Sequence, residues 1–437
     1  MVIKLPQLLL LGLLPVAISG LLPSKTSKAN AERIRVVAAP AIPTSTLVSD
    51  FKKGNVSAKW AEGHPMVWGA EDAKFGFPFN PYNWYFCADA SADEKLIAMA
   101  NATDVGIVDL NTKQLITSFK PTYVGEIQDI VLRVAPNGGY HVLVSATNYT
   151  AQDGYIITNV HLSPEGSVIG DETQYLGSLA TLGGRHSPFS NDGQRFLAQL
   201  EPSRGDDLTI IYDLDKPGSN ITLEGHSNTI TSSAFNPDGK LVSTTSWDGY
   251  DKVWDAVTGE LVQTLGPSTG QNWITNFSPD GKYMLMTSAG RNPVVNIWPV
   301  ANLTAAPIVI NQFKNWIRDA AWTSDGKLLA IGEVGLIYVY SMDEQKIIQT
   351  WEMENRGLPD IVGLTWIESD SGLKLAYRAT DGLEAYDFET NLKYRWGPDD
   401  LAQYNGAQSS EAMVIKSKGW IGGVDPDQTV RFWKFPV

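Results

Sequence analysis

The side chains best suited to acid–base or metal chemistry are five histidines, His64, His141, His161, His186 and His226. They are scattered through a chain of 437 residues, and no two stand at the short spacing that aims paired imidazoles at one metal. The single Cys87 adds no sulfur partner. No metal and no cofactor are therefore assigned. A phosphate loop and an Asp-x-Asp-x-Asp-Gly calcium loop are both absent from the sequence. Many acidic residues sit in Asp-Gly turns, where hydrogen bonds to nearby backbone N–H groups account for them. No catalytic residue can be singled out. What remains is binding chemistry: the 14 tryptophans combine large apolar area with a directional N–H, as interface anchors do.

Charge narrows the partner. With 48 acidic against 34 basic residues the net charge is −14, and no basic stripe is present for phosphates. Nucleic acid and anionic membrane surfaces are disfavoured. One cysteine also excludes an intrachain disulfide. At the N-terminus Lys4 precedes an apolar run from Leu8 to Ile18 and small residues at Ala17 and Ser19. This reads as a signal peptide over residues 1–19, with an alternative cleavage after Ala31 and an uncleaved anchor as the other reading. A secreted, extracellular chain is expected. Asn-x-Ser/Thr sequons at Asn55, Asn101, Asn148, Asn220 and Asn302 fall in expected turns or linkers and are candidate glycosylation sites.

The elements that position the aromatic residues repeat. From Leu223 to Asp255 the chain reads LEGHSNTITSSAFNPDGKLVSTTSWDGYDKVWD. Apolar alternation from Ile230 to Phe235 and again from Lys240 to Thr245 predicts strands with one packed face, and Asn-Pro-Asp-Gly and Trp-Asp-Gly reverse the chain. Related turns recur at Ser91–Glu94, Ala135–Gly138, Ser190–Gly193, Ser278–Gly281, Ser324–Gly326 and Ser369–Gly372. Third strands end at Asp109, Asp213, Asp255, Trp298, Tyr340 and Asp387. The period of roughly 40–50 residues signals a ring of repeated sheets.

The unit from Gly225-His226 to Trp254-Asp255 resembles a WD40 repeat. The resemblance implies an all-β propeller of about eight four-stranded blades, with seven as the alternative. It also implies a hydrogen-bonded structural relay of His226, Thr244, Asp248 and Trp254. Other units depart from it: the fifth keeps Ser288 and Trp298 but has Asn292 for the Asp, and the closing unit keeps Asp427 and Trp433 but has Gly423 for the hydroxyl. In WD40 proteins the narrow ring face is the usual recognition surface. Register with the Gly-His unit puts Trp84, Trp247, Arg291, Trp316 and Arg318 there, with Trp273 one residue off register. These six are the candidate partner-binding residues. Turns such as DAVTGELVQTL (255–265) and DFETNLKYRW (387–396) are also similar to those of quinoprotein dehydrogenases. That likeness implies the alternative of an extracellular oxidoreductase or small-molecule tailoring enzyme using a central channel.

Residues 20–55 read as an extended leader, and 56–437 as the propeller. Val56–His64 looks like one outer strand running into Gly-His, while Glu411–Lys434 supplies three strands and then stops. The two fragments are expected to complete one shared blade and close the ring. The aromatic segment 74–86 is expected to plug the first blade. The expected function is a monomeric, protein- or glycan-binding assembly module.

Overall fold

Strands form where the sequence alternates, and four inner turns share one local device. The Ser91 hydroxyl donates to Asp93 at 2.7 Å and accepts the Leu96 N–H at 3.0 Å. Ser190 with Asp192, Ser278 with Asp280 and Thr323 with Asp325 do the same. The side chain thus replaces the hydrogen bonds that the reversing backbone loses. The computed structural model describes residues 54–55, 59–64, 66–77, 86–122, 125–136, 138–147, 154–179, 188–200, 207–268, 270–290, 292–352, 361–379, 382–397, 412–425 and 427–435.

The strands assemble into eight sheets, each with an antiparallel core of four strands; seven run in chain order from an inner to an outer strand. Blades one to seven span 87–119, 127–176, 178–223, 230–265, 271–310, 317–352 and 362–397. The eighth takes three strands from 413–434. The long second unit, which raised the seven-blade alternative, forms a sheet of its own, Ile127–Val134 to Val168–Leu176. Inner and middle strands are buried on both faces, as in Leu96–Ala100, whereas outer strands such as Val168–Leu176 are mostly exposed. Eight apolar clusters hold the ring, each shared by two successive blades. Leu96 and Ile107 of blade one meet Val142 and Val144 of blade two, and Ile97 and Met99 meet Trp420 and Phe432 of blade eight. The last contact closes the annulus.

The closing strand differs from the one expected. Ala73–Gly76, not Val56–His64, pairs antiparallel with Thr429–Lys434, placing Ala73 opposite Phe432 and Phe75 opposite Val430. Alternation explains it: Ala73 and Phe75 are buried in the blade eight–blade one core while Lys74 and Gly76 point out. A Cβ on Gly76 would lie 2.8 Å from Thr429 Cγ2, so the strand can approach this closely only with glycine there. Upstream, Lys59–Trp60 and Met66–Val67 run parallel to the outer strand of blade seven, and Gly54–Asn55 parallel to that of blade six. His64, which the Gly-His pair suggested would open a repeat, instead packs edge-on against Tyr394 and Trp396. Of the 74–86 segment, residues 78–85 lie outside the described residues; Phe77 packs edge-on against Phe86.

A buried ionic network fastens this closure. Arg431 on the last strand donates from Nε to Glu71 at 2.8 Å and from Nη1 to Asp425 at 3.0 Å and to Asp427 at 2.7 Å. Its guanidinium also reaches Thr429 and stacks 4.0 Å from the ring centre of Trp68. Arg378 of blade seven meets Asp425 at 2.9 Å. Asp427, which the family pattern placed as a relay acid, is thus engaged by arginine.

Candidate functional site

In blade four, His226 Nε2 lies 2.8 Å from Thr244 Oγ1 and His226 Nδ1 lies 2.8 Å from Asp248 Oδ2. Trp254 Nε1 donates to the same Thr244 oxygen at 2.9 Å. All four side chains bond one another, so none is left to act on a substrate. Burial alone would raise the Asp248 carboxyl. Hydrogen bonding and charge from His226, with the N–H groups of Tyr250 and Ser227, hold it below the usual carboxylate range. Its folded value is depressed, so its contribution to stability is present above the unfolded value and is lost as pH falls through the folded one. Thr244→Val should lower stability by about 1–3 kcal/mol, because the buried Trp254 N–H and His226 Nε2 both lose their hydroxyl partner. Urea unfolding checks this, and an unchanged midpoint would refute it. The fifth blade builds no such relay: Ser288 Oγ has no partner among the described residues.

The relay also sets a turn that carries a candidate binding residue. Asp248 accepts the Ser227 and Tyr250 N–H groups, and the Trp247 N–H is tied to Thr229 O at 2.9 Å. Ile230 pairs with Ser246, so this turn and the start of the inner strand share one rim of the annulus. On the same rim, inner-strand bulges re-aim single residues. The register slips at Thr231 in blade four, at Trp273 in blade five and at Arg318 in blade six. Trp273 and Arg318 therefore occupy equivalent positions in adjacent blades.

The result is a continuous ladder across three blades. Ring centres of Trp247 and Trp273 are 5.6 Å apart, and those of Trp273 and Trp316 are 5.7 Å apart. The Arg318 guanidinium lies 5.0 Å from Trp316 and 5.7 Å from Trp273, within cation–π range. Trp316 is 40% exposed, while Trp247 and Trp273 are half-buried. The indole N–H groups of Trp247 and Trp273 are buried and have no acceptor among the described residues. Glu333, which sequence reading passed over, fixes the outer rung: its carboxylate accepts the Lys314 and Asn315 N–H groups at 3.2 and 3.0 Å and the Tyr338 hydroxyl at 3.0 Å. Its signal was an acidic residue ending an otherwise apolar strand, LLAIGE.

Other candidates are placed separately. Trp84, Arg291, His186 and Asn148 lie outside the described residues. Asn101 lies in a turn, its Oδ1 accepting the Thr103 and Asp104 N–H groups. Asn55 and Asn220 lie in short strands rather than turns, and Asn302 is exposed at the end of a 3-10 turn. Cys87 is buried. Among the described residues no group of three or more His, Cys, Asp and Glu converges as a metal site.

Eight blades closed into a ring, with this relay in blade four, define a β-propeller of the WD40 type. The WD domain, G-beta repeat model matches residues 218–255, and the chain is a WD40-repeat propeller. It is 31% identical over 128 residues to eukaryotic translation initiation factor 3 subunit I of Kluyveromyces lactis, covering 28% of this chain and 36% of that protein. Against the WD repeat-containing protein VIP3 of Arabidopsis thaliana it is 25% identical over 154 residues, 32% of this chain and 48% of the relative. The chain thus spans less than half the length of these curated relatives. Among solved structures, Sqt1 of Chaetomium thermophilum superposes with a TM-score of 0.61 at 15% identity, covering 83% of this chain and 97% of Sqt1. The same protein bound to the N-terminus of the ribosomal protein L10 gives a TM-score of 0.60, covering 83% of this chain and 99% of that one. WD40 propellers are protein-interaction modules.

Proposed function

We propose that this propeller is an exported binding module that grips an extended segment of a protein partner on the rim formed by blades four to six. The observation that carries the reading is the unbroken Trp247–Trp273–Trp316 ladder with Arg318 against it. Flat indoles offer area, and Trp316, 40% exposed, presents the outer rung of the ladder to a partner. Sqt1, which shares the fold, holds a protein N-terminus. Export rests on Lys4 and the apolar run from Leu8 to Ile18; N-terminal sequencing of the extracellular protein should begin at Gly20 or at residue 32.

The test is Trp247→Ala with Trp316→Ala. Partner recovered from the native extracellular fraction should bind the double variant about tenfold or more weakly. Trp316→Ala alone should leave the melting temperature nearly unchanged, since that side chain is 40% exposed. Unchanged binding by the double variant would remove the ladder from the interface, and recovery of a glycan in place of a polypeptide would overturn the protein reading.

A further inference from the structure

Strand register in blade two brings together histidines that the sequence keeps apart. His141 on Tyr140–Thr147 stands directly opposite His161 on Tyr155–Leu162. Their ring centres are 4.7 Å apart. Asn159, two residues before His161, lies on the same sheet face. That face turns toward blade three, where Leu143 and Ile157 pack with Phe196 and Leu179.

The amide nitrogen of Asn159 is 3.2 Å from His141 Nδ1 and 3.4 Å from His161 Nε2. An amide nitrogen has two hydrogens to give and accepts none. Both ring nitrogens thus lie within 3.4 Å of one atom, and in the tautomers that leave them unprotonated each aims a lone pair at it. The Asn159 oxygen also sits 3.3 Å from His141 Nδ1, so a rotation of the carboxamide would present an oxygen to that point. Asn159 and His141 are buried, while His161 is half-buried and leaves a side open to water.

We propose that His141 Nδ1, His161 Nε2 and the Asn159 carboxamide oxygen form a binding site for one divalent transition-metal ion, with water completing its coordination. Imidazole nitrogens suit copper, nickel and zinc, and copper is expected to bind tightest. Magnesium and calcium, which require several oxygen ligands, should not bind.

The experiment uses the full chain stripped with a chelator and titrated with copper, nickel, zinc or magnesium chloride alone, by calorimetry. Copper should bind at one ion per chain, and its paramagnetic resonance spectrum should show coupling to two imidazole nitrogens. Binding should weaken below about pH 6 as protons compete for the ring nitrogens. His161→Gln, at a half-exposed position, should retain the melting profile of the metal-free protein. It should weaken copper binding by at least the roughly 10–100-fold that even a supporting residue of a metal site is worth. Copper bound equally well by His141→Gln/His161→Gln and by the unaltered chain would overturn the site. A spectrum lacking two-nitrogen coupling would overturn it as well.

Discussion

Arg431→Ala should lower the free energy of unfolding by about 3–5 kcal/mol, the loss expected when one partner leaves a buried ion network. The guanidinium meets Asp425, Asp427 and Glu71 together, and Asp425 is buried with it between blades seven and eight. Burial pushes the Asp425 carboxyl up, against the pull of Arg378 and Arg431. Removing Arg431 leaves Arg378 as its identified cationic partner, 2.9 Å away. Glu71 lies just before the closing strand Ala73–Gly76, so the damage falls on the joint that makes the ring continuous. Arg431→Lys should recover little, because one point charge cannot fork among three carboxylates. Urea unfolding of both variants measures this. A loss under about 1 kcal/mol for the alanine variant, as for an exposed pair, would mean that strand pairing alone holds the ring.

This joint also shows what the sequence could and could not disclose. Blade strands were legible because alternation and Asp-Gly turns are local signals, and they led to eight sheets. The strand that completes the eighth was not. Ala73-Lys74-Phe75-Gly76 is only four residues long, and the Gly-His pair at 63–64 drew the reading upstream. Whether a segment pairs antiparallel or merely lies along a neighbour depends on what it buries. Ala73 and Phe75 enter the core, whereas Lys59–Trp60 lies exposed and half-buried along blade seven. At the rim, the residue types were visible but their contacts across neighbouring blades were not, because packing between separate sheets leaves no local signal. Trp247, Trp273, Trp316 and Arg318 could be named from composition and approximate position. That they touch follows only from Trp273 and Arg318 being the bulged residues of adjacent blades. The His141–His161 pair is less visible still, since opposition across a hairpin depends on a loop length that has no motif.

Next to Arg318, Asp319 should make stability depend on pH in the direction opposite to most carboxylates. Its side chain is buried on the inner strand of blade six and accepts the Leu364 N–H of blade seven at 2.7 Å. The Ala320 N–H donates to it at the same distance. Burial pushes its carboxyl up to about 7, and the N–H donors only partly offset this. The folded value lies above the unfolded one of about 4, so folding favours the protonated form. Its contribution is complete below the unfolded value and is lost as pH rises through the folded one. Glu71, Asp248 and Asp427, all held below the carboxylate range, act with the opposite sign and mask this slope in the unaltered protein. Comparison with Asp319→Asn cancels them, because the amide keeps an oxygen for the Leu364 N–H and cannot ionise. Relative to the unaltered chain, the asparagine variant should gain on the order of a few kcal/mol between pH 4.5 and 7.5. Denaturant unfolding at several pH values across that range measures the difference. If it does not change with pH, Asp319 stays ionised throughout, and its N–H donors, from Leu364, Ala320 and Gly363, outweigh the cost of burying its charge.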